Sequence, residues 1–240
     1  MEYGLQLFSI RDITEKNLKQ ALQEVAKLGY KIVEFAGFFD HSAKEVKSIL
    51  QETQLVICGT HTDWREIATD FEKLVAYHQE IGNRNIIIPW AELTCQEKID
   101  SFIAMVNEFE PKLEQKGIAL HYHNHAEEFL PNQDGSVAFT QLVERTKLLL
   151  EIDTYWVYAA KQNPIEWMEQ LKDRVRFIHI KDGDINGNGK PLGQGSAPVK
   201  QVWQKACELQ IPMVVESETL QPDGLTEAKV CIQYLHELEK

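Results

Sequence analysis

Eight short apolar runs, separated by longer amphipathic stretches, constrain this chain more than any other feature. They fall at residues 5–9, 32–35, 56–59, 85–88, 118–123, 148–152, 177–180 and 213–216. Between them, apolar residues recur at helical spacing, as in Leu18, Leu22, Val25 and Leu28, or Phe102, Met105, Val106 and Phe109. Helix starts are expected at Thr14 ahead of Asn17, at Asp40 and Ser42, and at Thr94; Gly29 and Gly117 read as helix stops. Successive runs lie mostly about 25 to 35 residues apart, the length of one strand plus a crossover helix. Eight such units in 240 residues predict an α/β fold, a (β/α)8 TIM barrel. A doubly wound open sheet would carry a glycine-rich loop after its first strand. Here the first strand runs into Ser9, Ile10, Arg11 and Asp12, and no Walker A or GxGxxG motif occurs. The PLGQG segment at 191–195 fits neither pattern. No Gly-, Ser- or Pro-rich linker divides the chain, so residues 1–240 are expected to form one domain.

Charge removes one class of partner. The chain has 37 acidic against 25 basic residues, a formal charge of -12, and lacks the basic footprint that a phosphate backbone requires. Nucleic acid is therefore not an expected partner. Cys58, Cys95, Cys207 and Cys231 form no CxxC or other short metal spacing and are too sparse for a disulfide scaffold, so reduced thiols are expected. No apolar stretch approaches the length of a membrane span, and the N-terminal MEYGLQLFSIRD has no basic segment ahead of an apolar core. The expectation is a cytoplasmic protein with no membrane partner.

In such a barrel, chemistry collects at the C-terminal ends of the strands. There the second run carries Glu34, the third His61, the fifth HYHNH (121–125), the sixth Glu151 and Asp153, the seventh His179, Lys181 and Asp182, and the eighth Glu216 and Glu218. Five of the eight histidines occupy these ends; His41, His78 and His236 fall on helices or their starts and are expected at the surface. Strand alternation puts His121, His123 and His125 on one face. A polar residue attached to a buried apolar strand needs a partner. His123, Asp153, His179 and Glu216, on four consecutive strands, could meet at one spot as an N/O set suited to a divalent ion such as Mn2+, Zn2+, Co2+ or Mg2+. Taken singly, each has a blander reading: a backbone-bonded histidine, or a helix N-cap for Asp153 or Asp182. Glu151 and Glu218 read as supporting or solvated residues.

At HYHNH, LEIDTYW, HIKD and VVESE the chain resembles the sugar phosphate isomerase/epimerase family of xylose isomerase-like TIM barrels, as do GLQLFSIRD, VEFAGF and CGTHT. The similarity spans essentially the whole chain. It implies one divalent metal ion at the barrel mouth, held by His123, Asp153, His179 and Glu216. Many sugar epimerases of the family have Glu in the fifth-strand slot, where this chain has His123. Their pair of glutamates on opposite faces of the substrate therefore cannot be carried over. The dehydratase and lyase branches, inosose dehydratase included, tolerate His there.

The implied activity is isomerisation or epimerisation of a sugar or keto-sugar by proton abstraction α to a metal-held carbonyl, with dehydration or β-elimination of a keto-sugar or keto-inositol as the alternative. Glu216, His125 and Glu128 are the acid/base candidates. Glu34, His61 and Lys181 are candidates for holding substrate hydroxyls, with a structural role at the barrel mouth equally open to Glu34; Trp90 and Trp156 could pack on a sugar ring, with buried packing the ordinary reading of each. Arg11, Lys181 and Lys190 are the only obvious cations for a phosphate, which favours a free sugar or glycoside. A barrel that binds metal and sugar without turnover is the non-enzymatic alternative. The sequence leaves a homo-oligomer open.

Overall fold

Alternation within each strand decides how the sheet closes, because one set of alternate residues is apolar and the other polar. The computed structural model describes all 240 residues. Its barrel strands are β1 (Gly4–Gln6), β2 (Ile32–Phe35), β3 (Val56–His61), β4 (Asn85–Ile88), β5 (Ala119–His123), β6 (Leu149–Asp153), β7 (Val175–Ile180) and β8 (Met213–Val215). All pair in parallel and close into an eight-stranded barrel in which β8 lies between β7 and β1. The expected xylose isomerase-like (β/α)8 architecture is the one observed. Leu5, Val33, Phe35, Leu120, Tyr122, Leu150, Ile152, Ile178 and Ile180 are buried in the apolar clusters. Their alternates Gln6, Glu34, His121, His123, Glu151, Asp153 and His179 are buried and polar. The barrel wall is thus stabilised from outside by helix packing, while its upper interior is a layer of titratable groups.

Local signals set the helix boundaries. Ser42 and Glu45 form a reciprocal capping box at the start of helix Ala43–Thr53, worth about 1 kcal/mol. Helix Leu18–Leu28 begins at Asn17 rather than Thr14, because the Asn17 side chain accepts from the Gln20 N–H, and it ends at Gly29 with φ 103°. The first strand is shorter than expected: after Gln6 the chain tightens into a 3-10 turn, Leu7–Ile10, with the Gln6 side chain accepting from the Phe8 N–H. The eighth stops at Val215, so Glu216 sits just beyond the ladder.

His78 departs from its expected surface place. It is 2 % exposed on helix Phe71–Ile81, and its Nδ1 pairs with the Asn83 amide at 2.9 Å. Asp182 is an anchor: its carboxylate accepts backbone N–H groups of Gly183, Gly193, Gly195 and Ala197, which pins the PLGQG segment beside the mouth. The four cysteines are free thiols. No helix is long and apolar enough to cross a membrane.

Candidate metal centre

The four residues expected to bind an ion do converge. One donor atom from each of His123, Asp153, His179 and Glu216 lies within 4.8 Å of the others, and all four residues are buried. His123 Nε2 and Asp153 Oδ2 are 3.6 Å apart, and His179 Nδ1 and Glu216 Oε2 3.4 Å. Donors each about 2.1 Å from one ion would stand about 3.4 Å apart at a tetrahedral angle. His123 Nε2, Asp153 Oδ2 and His179 Nδ1 have no hydrogen-bond partner, although each is buried. Three orphaned lone-pair atoms facing one point are costly without a cation and natural with one. The residues therefore fit a divalent ion.

The opposite atom of each side chain is spoken for. Asp153 Oδ1 accepts from the backbone N–H groups of Tyr155 and Trp156, both at 2.9 Å, so the residue is a helix N-cap through one oxygen and offers the other to the site. His123 Nδ1 faces the Pro89 carbonyl at 3.4 Å, which favours the tautomer with Nε2 free. His179 Nε2 lies 2.9 Å from Glu34 Oε1 and 3.2 Å from Glu151 Oε2, leaving Nδ1 to the site. Asn124 ties the ends of β5 and β6 together through the Asp153 backbone.

Glu34, His61, Glu151 and His179 form a second set of similar composition, one layer deeper. Here donors meet acceptors: His61 Nε2 is 3.1 Å from Glu34 Oε1 and 3.0 Å from Glu151 Oε2, and the Gln6 amide donates to Glu34 at 2.5 Å. Burial opposes ionisation of Glu34, but the His179 and His61 imidazoles outweigh it and hold its carboxyl well below the usual range. Burial and the nearby Glu34 charge push Glu151 up to about 8. Burial pulls His61 down, yet Glu34 and Glu151 raise it to about 9. In this layer each imidazole Nε2 already meets carboxylate oxygens, and the atoms left without a partner are one oxygen of each carboxylate, Glu34 Oε2 and Glu151 Oε1. Glu151, expected to be supporting or solvated, is fully buried and touches both imidazoles. Its position two residues before Asp153 on the same inward face was the signal available for it.

Of the residues expected to meet substrate hydroxyls, His61 lines the mouth cavity, whereas Glu34 and Lys181 do not. Glu34 is 0 % and Lys181 1 % exposed. The Lys181 ammonium sits 3.0 Å from Glu216 and 2.8 Å from Glu218, and 4.8 Å over the Trp156 ring. Burial disfavours the Glu216 carboxylate; Lys181 and His179 overcome it and hold the group well below the usual range.

His125 lines the cavity, and burial pulls its imidazole to about 4. Glu128 stands apart from the ligand set: it accepts from the Tyr122 hydroxyl at 2.8 Å and the His125 N–H at 2.9 Å, fixing the loop that carries His125, and burial raises it to about 7. The cavity above the ligands has a volume of about 450 Å³, with Phe8, Trp90 and Glu66 on its outer wall.

Residues 22–235 match the family model described as xylose isomerase-like TIM barrel. The chain belongs to that family. It is 22% identical over 191 residues to the inosose dehydratase of Clostridium beijerinckii, a match covering 70% of this chain and 64% of that protein's length. A sugar phosphate isomerase/epimerase structure from Parabacteroides distasonis superposes with a TM-score of 0.81 at 22% identity, covering 98% of this chain and 97% of the other. The IOLI protein, solved with a bound zinc atom, superposes at 0.78 with 15% identity, covering 99% and 98% of the two chains. Family members are enzymes, with isomerases, epimerases and dehydratases among them. These structural likenesses establish the barrel.

Proposed function

We propose that the protein is a divalent-metal-dependent isomerase or epimerase that acts on a sugar or keto-sugar by removing the proton α to its carbonyl. The observation that carries this is the set of orphaned donors, His123 Nε2, Asp153 Oδ2 and His179 Nδ1, converging with Glu216 at the cavity floor. His123, Asp153, His179 and Glu216 would hold a divalent ion there, which would supply Lewis-acid polarisation of a carbonyl and stabilisation of negative charge beside it. Zinc in the IOLI protein supports a metal-dependent reading, and Mn2+, Co2+ and Mg2+ suit the same donors.

The chain's own residues do the rest. Lys181 keeps Glu216 anionic, so that Glu216 serves as ligand and as a carboxylate against the reacting carbon. His125 lies just past the end of β5, its ring 5.0 Å from that of His123 and lining the cavity, outside the ligand set, which suits a group that reaches substrate rather than ion. At neutral pH its imidazole is unprotonated and ready to accept the proton. His61, backed by Glu34 and Glu151, presents its ring to the cavity and orients a hydroxyl there. Glu128 acts at a distance, by holding the His125 backbone.

The test is solvent exchange. Candidate ketoses incubated with the metal-loaded protein in D2O should gain deuterium at the α-carbon on the turnover timescale. Turnover with no solvent label would mean hydride transfer between carbons and would overturn the proton-abstraction reading. A second reading, dehydration or β-elimination of a keto-sugar or keto-inositol, is favoured by His123 in the fifth-strand slot and by the inosose dehydratase relative. Loss of water or of an alcohol from the labelled substrate, read by mass spectrometry, separates the two.

A further inference from the structure

The ligands occupy the β5–β8 side of the mouth, but much of the cavity opens over β1–β4. Its wall there comes from Phe8 after β1, Ala36 and Gly37 after β2, Glu66 after β3 and Trp90 after β4. Phe8 is 40% exposed and Trp90 45%, among the few large apolar side chains the protein leaves in water. Exposed aromatic rings that line the cavity holding the ligand set point to something that covers them. The Arg11 guanidinium lies 4.2 Å over the Phe8 ring and donates to the Phe8 and Glu218 carbonyls, so that ring is held in place from behind. At about 450 Å³ the cavity falls in the range that encloses drug-sized ligands, roughly 300–1,000 Å³, and one sugar ring at the ligand set leaves the β1–β4 side unfilled.

Charge narrows the occupant. Glu66, Glu216 and Glu218 line the cavity, with no lysine or arginine. The nearest cations are engaged: Lys181 is buried between Glu216 and Glu218, and Arg11 is bonded to two carbonyls. A phosphate group over β1–β4 would meet carboxylates and no free guanidinium or ammonium.

We infer that the substrate is an unphosphorylated glycoside of a keto-sugar, its ketone-bearing ring over the β5–β8 ligands and a second ring with a flat apolar face resting on Phe8 and Trp90. This rests on the proposed function and names the substrate class for the same site. The second ring is an aryl group or another pyranose, which share that apolar face.

The test is equilibrium binding by calorimetry to the metal-loaded protein. The probes are methyl β-D-glucoside, phenyl β-D-glucoside, methyl β-cellobioside and methyl β-D-glucoside 6-phosphate, whose blocked anomeric carbons leave no free carbonyl, so they are not consumed. Phenyl glucoside or methyl cellobioside should bind at least about tenfold more tightly than methyl glucoside. That ratio should fall towards one in Phe8→Ala and Trp90→Ala, with circular dichroism and metal content confirming that each variant is folded and loaded. The tighter of the two probes identifies the second ring. Equal affinity for methyl, phenyl and glucosyl probes, tightest binding of the phosphate, a ratio unchanged in both variants, or no binding of any sugar would each overturn the inference. Solvent exchange into small ketoses is read separately, so the proposed chemistry can survive while the second-ring site fails.

Discussion

The β5–β8 side of the barrel and the deeper layer reaching β2 and β3 use the same side-chain types, histidine and carboxylate, and differ in what those groups face. On the β5–β8 side, His123, Asp153 and His179 each bind protein through one atom and leave the other without a partner. In the deeper layer, the Nε2 atoms of His61 and His179 both lie within hydrogen-bond reach of Glu34 and Glu151, and only one outer oxygen of each carboxylate lacks a partner, with no imidazole nitrogen beside it to complete a ligand set. Residue type alone therefore does not mark a metal site; unmet valence at one point does. His179 belongs to both sets, and its two ring nitrogens divide between them. That makes Glu34 and Glu151 the groups that aim an expected metal ligand.

Breaking the β5–β8 side should have the largest effect. Glu216→Gln keeps the shape but removes the charge that Lys181 faces, and turnover should fall by about 10³-fold or more in steady-state assays on the best ketose. A smaller loss would mean that another residue supplies the carboxylate. His125→Gln should keep metal and fold and lose about 10²-fold in turnover. If it instead loses thermal stability and keeps its kcat per folded molecule, His125 serves only the loop that Glu128 anchors.

In the deeper layer, Glu34→Gln should weaken metal binding by about 10- to 100-fold, because the amide orients the His179 ring without its charge. Metal affinity by competition with a chelator checks this, and an unchanged affinity would separate the two layers.

The expected effect that leaves activity untouched lies outside the mouth, at His78. Burial lowers its imidazole from 6.5 to about 4. As pH falls through 6.5 the unfolded chain takes up this proton and the folded chain does not. Stability from this group is therefore complete above that pH and declines down to about 4, by an amount on the order of 3 kcal/mol. Urea unfolding between these pH values should show a shallower decline in His78→Gln than in the natural protein. Equal slopes would mean that His78 is protonated without penalty.

What could be read from the sequence follows the range of the interaction. The strands, the helix ends at Ser42 and Gly29, and the inward face of HYHNH depend on neighbours within a few residues, and local periodicity carries that information. The contact between Glu34 and His179 spans 145 positions and crosses the barrel interior, so Glu34 read as a residue at the mouth rather than a buried support. Lys181 read the same way, since nothing near it in sequence reveals that Glu216 and Glu218 enclose it. Helical spacing did not mark His78 as buried, because a lone histidine on an amphipathic helix looks solvated until the helix is packed. The free imidazole value suggested that His125 takes and returns a proton near neutrality, whereas its burial, invisible in the sequence, favours the neutral ring.

The most direct test of the central claim, that the ion belongs to the β5–β8 set, is metal content per chain in two variants purified side by side with Mn2+ or Zn2+. Asp153→Asn keeps a side-chain oxygen for the Tyr155 and Trp156 N–H groups but removes the charge that Oδ2 carries; His61→Ala removes a member of the deeper layer only. We expect elemental analysis to find one ion per chain in the natural protein, nearly none in Asp153→Asn and close to one in His61→Ala. A full complement in Asp153→Asn together with loss in His61→Ala would place the ion in the deeper layer and contradict the account.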